Sequence, residues 1–346
     1  MSSILRQQAG FLLSRSFLRL SLTLLVCIAP LAAQTPGFTS FDAPHAGTGF
    51  LQGTLPTAIA ANGAIAGYYN DSKNEAHGFL RSPAGVITEF DPPSSSDNFS
   101  TGINLRGQIV GYGSQSVKVG FLRNPNGSFV SIIPPRAVDA IPTAINGNGE
   151  IAGYFSDSIG AWYGFLRRAN GSYIVFDEPD ASHQQGGGTF VTAINANGEV
   201  AGYYSDKLGL GHGFIRDSWG NFTSFDPSAS TSTAVTAINL GGEVGGYYNT
   251  GYGTYGFVRD AAGNVSTFAV PGATGTFTSS MNDGRWVVGE WGIASSHYGF
   301  ERDPSGGITS FSVSSSNDNY ATAINNAGRI TGYYMGASGA LHGFVK

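Results

Sequence analysis

The chain has 346 residues, of which 12% are charged, 12% are aromatic and 51 are glycine. Soluble domains average about 25% charged residues and about 7% glycine, so this composition favours many short strands joined by turns and argues against long helices. The formal net charge of −5 offers no attraction to a nucleic-acid backbone, and we predict no nucleic-acid partner.

The first 33 residues have the pattern of a secretory signal peptide. Three arginines precede an uncharged apolar run over residues 20–33, which is shorter than the roughly 20 residues of a membrane-spanning helix. The one cysteine, Cys27, lies in this run, so a mature chain from Gln34 has no thiol for disulfide bonds or catalysis. We predict a signal peptide over residues 1–33 and one secreted domain without a membrane span, extracellular or periplasmic, over residues 34–346. A signal retained as a membrane anchor is the alternative.

A phrase of the form T-A-I-N-x-x-G-x-I-A-G-Y-Y recurs seven times along the rest of the chain. Its copies begin at Thr57, Thr101, Thr143, Thr192, Thr236, Ser279 and Thr322. Each copy continues with a Gly-Phe pair, and most copies end with a segment resembling F-x-x-F-D-P. Alternating apolar residues and Asn-Gly turns predict four short antiparallel strands in each copy, which is the make-up of a propeller blade.

The two ends of the repeat array complement each other. The seventh copy stops at Lys346 after its third predicted strand, and the missing fourth strand is present as residues 38–44. An N-terminal strand that completes the last blade leaves no unpaired sheet edge. We therefore predict an all-β fold, a seven-bladed β-propeller of four-stranded antiparallel blades whose ring this strand closes, and we expect a monomer.

The residues around the Gly-Phe pair carry a resemblance to a known family. The elements His77-Gly78-Phe79 and Tyr163-Gly164-Phe165 resemble the bacterial extracellular repeats of the HAF family, named after His-Ala-Phe, with glycine here in place of the alanine. The resemblance covers residues 38–346. It implies an exported, propeller-like repeat protein and no assigned activity.

The predicted blades place their variable segments on one face. The connections between strands two and three, and between strand four and the next strand one, differ in length and chemistry among the copies. We call the face that carries them the variable-loop face. Because loops on a rigid scaffold commonly carry binding function, we predict that this face binds the partner. The candidate ligand contacts, interpreted as aromatic or polar loop residues, are Trp162, His183, Tyr252 and Trp291.

Other repeated positions are interpreted as structural. The histidine before Gly-Phe is exchanged for tyrosine or valine in other copies, so we interpret His77 as a strand residue facing Phe90 across a hairpin. The arginine after each Gly-Phe pair, such as Arg81, is interpreted as a solvated charge, and the G-Y-Y tyrosines as mostly core. The glycine of G-Y-Y, such as Gly246, is expected to prevent crowding against the neighbouring blade.

The sequence contains no catalytic motif that we can identify, and we predict no catalytic residues, no metal site and no cofactor. The favoured function is a non-enzymatic binding protein for a glycan or a cell-surface protein. One alternative is a propeller-type polysaccharide hydrolase or lyase, which would need residues such as His183, Glu290 and His297 within about 3–10 Å around one concavity. Another alternative is a structural component of an extracellular matrix.

Overall fold

The fold is built from strands that follow the repeat. The computed structural model describes residues 37–93, 95–313 and 318–346, and the predicted signal peptide lies outside them. These residues contain 28 β-strands and no helix, and hence no helix that could cross a membrane. Antiparallel pairing groups the strands into seven four-stranded units, one for each copy of the repeat. We number the units 1–7 in the order of the copies.

The N-terminal strand is β1 (Thr39–Phe41). Unit 1 comprises β2 (Gly53–Ile59), β3 (Ile65–Asn70), β4 (Ala76–Arg81) and β5 (Ile87–Phe90). Unit 2 comprises β6 (Asp97–Ile103), β7 (Ile109–Ser114), β8 (Lys118–Arg123) and β9 (Phe129–Ile132). Unit 3 comprises β10 (Asp139–Ile145), β11 (Ile151–Ser156), β12 (Trp162–Arg167) and β13 (Tyr173–Phe176).

Unit 4 comprises β14 (Thr189–Ile194), β15 (Val200–Ser205), β16 (Gly211–Arg216) and β17 (Phe222–Phe225). Unit 5 comprises β18 (Ser232–Ile238), β19 (Val244–Thr250), β20 (Gly253–Arg259) and β21 (Val265–Phe268). Unit 6 comprises β22 (Gly275–Met281), β23 (Val287–Ile293), β24 (Ser296–Arg302) and β25 (Ile308–Phe311). Unit 7 comprises β26 (Asn319–Ile324), β27 (Ile330–Met335), β28 (Leu341–Val345) and, from the other end of the chain, β1.

The N-terminal strand supplies the fourth strand of unit 7. Strand β1 pairs antiparallel with β28, with Thr39 opposite Val345 and Phe41 opposite Gly343. In units 1–6 the fourth strand follows the third along the chain, and it pairs in the same way, as β5 does with β4. Residues near the two ends of the chain therefore lie side by side in one sheet.

The first hairpin of each unit shows how the repeat phrase dictates its turn. In unit 4 the Asn195 side-chain oxygen accepts hydrogen bonds from the backbone N–H groups of Asn197 (3.0 Å) and Glu199 (3.1 Å). Gly198 follows with a φ of 78°, a left-handed conformation that glycine adopts without steric cost. The Asn and Gly of the phrase are therefore both used by the turn that joins strands one and two.

The threonine that opens the phrase ties neighbouring units together. In every unit the register between strands one and two shifts at this position, which marks a β-bulge. The bulge turns the side chain towards the next unit, where the Thr101 hydroxyl donates to the Pro142 carbonyl at 2.8 Å. Unit 7 makes the same bond to unit 1, from Thr322 to the Pro56 carbonyl at 3.0 Å.

The core lies between consecutive units. The phenylalanine of the Gly-Phe pair is 0% exposed in six units: Phe79, Phe165, Phe214, Phe257, Phe300 and Phe344. Its cluster in unit 3 includes Val110 and Leu122 from unit 2, and units 7 and 1 share a cluster that contains Val345 and Ile65. Stability therefore depends on apolar contacts between sheets as well as on pairing within them.

The glycine of G-Y-Y is required within its own unit, which corrects the expectation of crowding against a neighbour. A Cβ on Gly246 would lie 2.1 Å from the Ala234 carbonyl oxygen and 2.7 Å from the Phe257 ring. Both belong to unit 5, as Gly246 does. The strand-one backbone beside the bulge and the strand-three phenylalanine approach the glycine together and leave no room for a side chain.

The arginines after the Gly-Phe pairs are buried or half-buried rather than fully solvated, which corrects a second interpretation. Arg81 and Arg123 are only 8% and 7% exposed, and burial lowers the pKa of both guanidinium groups. In six of the seven units the cation at this position lies over an aromatic ring of the preceding unit's fourth strand, at 4.7–5.2 Å from the centroid. The pairs are Arg81–Phe41, Arg123–Phe90, Arg216–Phe176, Arg259–Phe225, Arg302–Phe268 and Lys346–Phe311. Cation–π contacts thus join consecutive units.

Candidate functional site

The two tyrosines of G-Y-Y lie on opposite faces of strand two and have different environments. The second tyrosine is buried, as Tyr69, Tyr204, Tyr248 and Tyr334 show with 4–7% exposure. The first position is half-buried in every unit. Its occupants are Tyr68, Tyr112, Tyr154, Tyr203, Tyr247, Glu290 and Tyr333. The interpretation of these tyrosines as core therefore fits the second position and is wrong for the first.

Strand-one side chains hold the first tyrosines in place. Phe99 lies opposite Tyr112 in the register of unit 2 and stacks on it with 5.1 Å between the ring centroids. The same phenylalanine contacts Tyr68 of unit 1 edge-on at 5.0 Å. Phe190 repeats this arrangement between Tyr154 and Tyr203. These contacts between neighbouring units fix the orientation of the tyrosine rings.

The first tyrosines of units 1–4 line a cavity of about 490 Å³. Its lining comprises Thr57, Tyr68, Phe99, Ser100, Thr101, Tyr112, Thr143, Tyr154, Thr192, Tyr203 and Thr236. Tyr68 pairs with Leu55, two residues before Thr57, so the tyrosines lie towards the end at which strand one begins. That end follows the variable connection, and we call this space the axial cavity. Its volume and mixed aromatic and hydroxyl lining are typical of a site for a small ligand.

A second cavity, of about 400 Å³, lies towards the other end of strand one. The opening residues of the repeat phrase line it in all seven units, from Thr57 in unit 1 to Ile324 in unit 7. Threonines of the phrase border both cavities. Strand one of every unit therefore faces the same interior space.

The residues at the first position affect one another's pKa values between adjacent units. Burial raises the pKa of Tyr154 to about 12, and Tyr203 and Tyr112 contribute to the rise. Burial also raises the pKa of Tyr203, with an added contribution from Tyr247. At the end of the series, the Tyr333 pKa is raised by burial, by Glu290, and by Tyr68 of unit 1 among others. All of these tyrosines are neutral donors at physiological pH.

Glu290 is the exception in the series, because it places a carboxylate where the other six units have tyrosine. Burial raises the pKa of its carboxyl group, and His297 lowers it by a smaller amount. No residue that the structure describes donates a hydrogen bond to this carboxylate. Its charge reaches Tyr247 and Tyr333, the occupants on either side, and contributes to raising the pKa of each.

A histidine lies beside this carboxylate. The His297 ring stacks on Tyr320 with 5.3 Å between centroids, and its Nδ1 is 3.2 Å from the Tyr320 hydroxyl and 3.3 Å from an Asp318 oxygen. The pKa of Tyr320 is raised to about 12 by burial, Glu290 and Asp318. Glu290 and His297 thus lie on neighbouring strands of unit 6, and His297 lowers the Glu290 pKa, but neither residue lines either of the two cavities. His183, which that alternative also used, lies in the connection between units 3 and 4 and pairs with Asp177 at 3.2 Å.

The four predicted ligand contacts lie in different surroundings. Trp162 is the first residue of β12 and contacts Tyr154 of the axial cavity at 5.3 Å. The His183 side chain is 62% exposed, and Tyr252 is 96% exposed at the turn between β19 and β20. Trp291 is not a loop residue: it lies within β23, packs against the core between units 5 and 6, and stacks on Tyr298. Among the described residues, no ring contact joins any two of the four.

The tyrosines at the first position are candidate functional residues that the choice of loop residues missed, and Glu290, which the sequence analysis named only for the hydrolase alternative, joins them. Both were visible in the sequence, since Glu290 is the single carboxylate at a position otherwise occupied by tyrosine. Strand alternation shows that the two G-Y-Y tyrosines face opposite ways, but not which of them faces the interior space. The contact between Trp162 and Tyr154 is what connects one predicted residue to the cavity.

The repeated histidines make a different contact from the one expected. Gly78, not His77, lies opposite Phe90, and His77 Nδ1 instead lies 3.0 Å from Asp91. Equivalent pairs are His212–Asp226 at 2.7 Å and His342–Asp42 at 2.9 Å. The register is displaced by one residue because the glycine leaves room for the phenylalanine ring, whose Cε2 would be 2.4 Å from a Cβ at Gly78.

One group of potential metal ligands lies away from the axial cavity. Donor atoms of Asp71, Glu75 and His77 all lie within 4.8 Å of one another at the turn after β3. Asp71 already accepts hydrogen bonds from the backbone N–H groups of Lys73 and Glu75. The arrangement is that of an acidic turn, and we assign no metal to it.

Comparisons with known proteins identify the fold. No protein family matches the chain, and no curated protein sequence matches it. A streptogramin B lyase structure is 13% identical over 89% of this chain and 97% of its own, with a TM-score of 0.58. Virginiamycin B lyase from Staphylococcus aureus is 12% identical over 89% and 99%, with a TM-score of 0.58. The BP39L lectin from Burkholderia pseudomallei is 11% identical over 85% and 96%, with a TM-score of 0.56. The shared fold is the β-propeller, and at these identities the similarity extends to the fold alone.

Proposed function

We propose that this protein is a secreted, non-enzymatic propeller that binds a glycan in the axial cavity, at the variable-loop face. The observation that carries the proposal is the series of half-buried tyrosines around the cavity of about 490 Å³. Aromatic rings offer apolar faces to the C–H groups of a sugar, while the tyrosine and threonine hydroxyls offer donors and acceptors. A rigid site of this kind binds without the loss of much conformational freedom.

The proposal includes a closed ring of seven blades. It is supported by the hydrogen bond from Thr322 to Pro56, by the bond from the Asn325 side chain to the Ala60 carbonyl at 3.0 Å, and by the core cluster that units 7 and 1 share. These contacts between the last and first units have the same form as those between consecutive units. A closed ring keeps the axial cavity in one shape, which a site on a rigid scaffold requires.

We further propose that the protein is exported, acts as a monomer and belongs with the HAF-type repeats. The basic residues and apolar run before Gln34 support export, and the His77-Gly78-Phe79 element supports the relationship to HAF repeats. Extracellular glycans are accessible to an exported protein, which fits the chemistry of the cavity.

The test is binding of the mature chain from Gln34 to a broad glycan array, compared between two matched variants. Tyr154→Leu removes an aromatic face from the axial cavity and keeps apolar volume, whereas Tyr252→Leu removes an exposed tyrosine from a loop. We expect reproducible binding that Tyr154→Leu weakens at least tenfold and Tyr252→Leu leaves unchanged, with similar melting temperatures for both. Binding lost only in Tyr252→Leu would move the site to the loops. A blank array would favour a cell-surface protein partner or a matrix role.

A polysaccharide hydrolase or lyase is the second candidate, because Glu290 and His297 lie on the paired strands β23 and β24 and His297 lowers the Glu290 pKa. Asp318 adds a second carboxylate beside His297, and acid–base cleavage of a sugar chain commonly uses two such groups. Incubation with polysaccharides of several classes, followed by measurement of reducing ends and unsaturated products, tests this candidate. Release of products that Glu290→Gln abolishes would favour the enzyme over the binding protein.

A further inference from the structure

Glu290 places a carboxylate at the strand-two position whose tyrosines line the axial cavity in units 1–4. Six units place a neutral tyrosine at this position, and unit 6 alone places a carboxylate there. The carboxylate accepts no hydrogen bond from any residue the structure describes, and neither cavity is lined by a lysine or an arginine. The neighbouring His297 directs its Nδ1 at Tyr320 and Asp318 instead. A half-buried carboxylate without a hydrogen-bond donor is costly to keep, so a donor from outside the chain is favoured.

The charge also lies among aromatic rings. Tyr247 and Tyr333 occupy the equivalent strand-two position in the units on either side, and Tyr320 stacks on Tyr333 with 4.8 Å between centroids. Glu290 contributes to raising the pKa of all three tyrosines. Phe277 lies opposite Glu290 in the register of unit 6 and contacts Tyr247 at 5.3 Å. Aromatic rings attract cations through the negative potential of their faces. A carboxylate surrounded by such rings combines two independent attractions for positive charge.

The three possible ligand charges can be compared on this basis. An anionic group near Glu290 would meet a like charge in a partly desolvated site. A neutral group would bury the carboxylate further without neutralising it. An ammonium group would neutralise the charge, donate hydrogen bonds to the carboxylate oxygens and contact the ring faces. Both the carboxylate and the aromatic rings therefore favour a cationic ligand.

We propose that the axial cavity recognises a glycan that carries a free amino sugar, with the ammonium group held between Glu290 and the flanking tyrosines. This inference rests on the proposed glycan-binding function and names its ligand class. Tyr154 and Tyr203, in units 3 and 4, would then contact the uncharged part of the ligand. We assign recognition of the ammonium group to unit 6 because this unit has glutamate where the other six have tyrosine.

Two oligosaccharides that differ in charge provide the test. The probes are the β-1,4-linked tetramer of glucosamine and the same tetramer with every amine acetylated, titrated calorimetrically into the mature chain at low ionic strength. A hydrogen bond to a charged group contributes about 1.5–3 kcal/mol, so the charged tetramer should bind roughly 10- to 100-fold more tightly than the acetylated one. The comparison is made below the pKa of the sugar amine, where it carries its proton.

Variants separate the role of Glu290 from general charge. Glu290→Gln removes the charge, and Glu290→Tyr restores the residue of the other units and so preserves the fold. Both should weaken the charged tetramer roughly 10- to 100-fold and leave the acetylated one unchanged. Glu75→Gln, which removes an exposed carboxylate at a distant turn, makes the same change in net charge and should have no effect.

The outcomes distinguish this inference from the proposed function. Equal binding of both tetramers by wild type and Glu290→Gln, weakened by Tyr154→Leu, would overturn charge recognition and leave glycan binding in place. Glycan-array binding that depends on Tyr154, with neither tetramer bound, would do the same. If neither tetramer binds and the array is blank, both the inference and the proposed function fail. An equal loss in Glu75→Gln would assign the effect to net charge and overturn the site.

Discussion

The glycine of G-Y-Y provides a sharp test of the repeat architecture. We expect Gly246→Ala, the smallest possible addition, to destabilise the protein strongly. The new Cβ would lie 2.1 Å from the Ala234 carbonyl oxygen on one side and 2.7 Å from the Phe257 ring on the other. Cβ contacts essentially begin at 3.0 Å, so the carbonyl would have to move by about 0.9 Å. That carbonyl belongs to the backbone beside a β-bulge, and it cannot shift without disturbing the pairing of strands one and two.

The expected loss of stability follows from these two steric clashes on opposite sides of the new Cβ. Overpacking in a well-packed core costs about 1–3 kcal/mol and occasionally more, and we expect the upper end, because a backbone atom and a fully buried ring must both give way. At about 2 °C per kcal/mol for a domain of this size, the melting temperature should fall by roughly 6 °C. Gly202→Ala, whose Cβ would lie 2.0 Å from the Phe190 carbonyl oxygen, should behave in the same way.

Gly251→Ala is the matched control for this measurement. Gly251 lies at an exposed turn, where an added Cβ would have no atom within 4 Å beyond its own chain neighbours. Surface substitutions of this kind change stability by less than about 0.5 kcal/mol. Thermal unfolding followed by circular dichroism compares the variants. A Gly246→Ala protein that melts at the same temperature as Gly251→Ala would refute the packing argument and with it the assignment of strands one to three.

Two further predictions concern contacts between strands. A double-mutant cycle of Arg123→Met and Phe90→Leu should return a coupling energy of about 1–2 kcal/mol in equilibrium unfolding. The control is the cycle of Arg167→Met and Ile132→Leu, because unit 2 has isoleucine where the fourth strands of other units have an aromatic ring. Its coupling energy should be near zero. Equal coupling energies in the two cycles would contradict the cation–π account. The hydrogen bond with Asp42 raises the pKa of His342 against the opposing effect of burial. Because the folded pKa is raised, the stabilisation is fully present below the ordinary histidine pKa of 6.5 and is lost as the pH rises through the folded pKa. His342→Gln should therefore lower the melting temperature at pH 5.5 and have little effect at pH 9; a loss independent of pH would assign the contact to packing alone.

The sequence by itself determined the repeat unit and its strands. The spacing of the seven phrases, the Asn-Gly turns and the position of residues 38–44 at the opposite end of the chain predicted four strands per copy and the pairing of β1 with β28, which the structure contains. The turns and strands could be predicted because turn chemistry and strand alternation act over a few residues. The number of units follows from the number of repeated phrases. Because seven copies can be aligned, one copy that departs from the pattern does not obscure it. Unit 2, with Val119 before its Gly-Phe pair, is such a copy.

Only the tertiary structure decided what each repeated side chain contacts. Alternation separates Tyr68 from Tyr69, but the packing of neighbouring sheets determines that Tyr69 is buried and Tyr68 faces the axial cavity. The same packing places Arg123 over a ring of the preceding unit, a contact between residues far apart in sequence. The surroundings of Glu290 also depend on neighbouring units, because the tyrosines near it come from other strands. Local propensity cannot position those strands, so the sequence alone does not show what this carboxylate contacts.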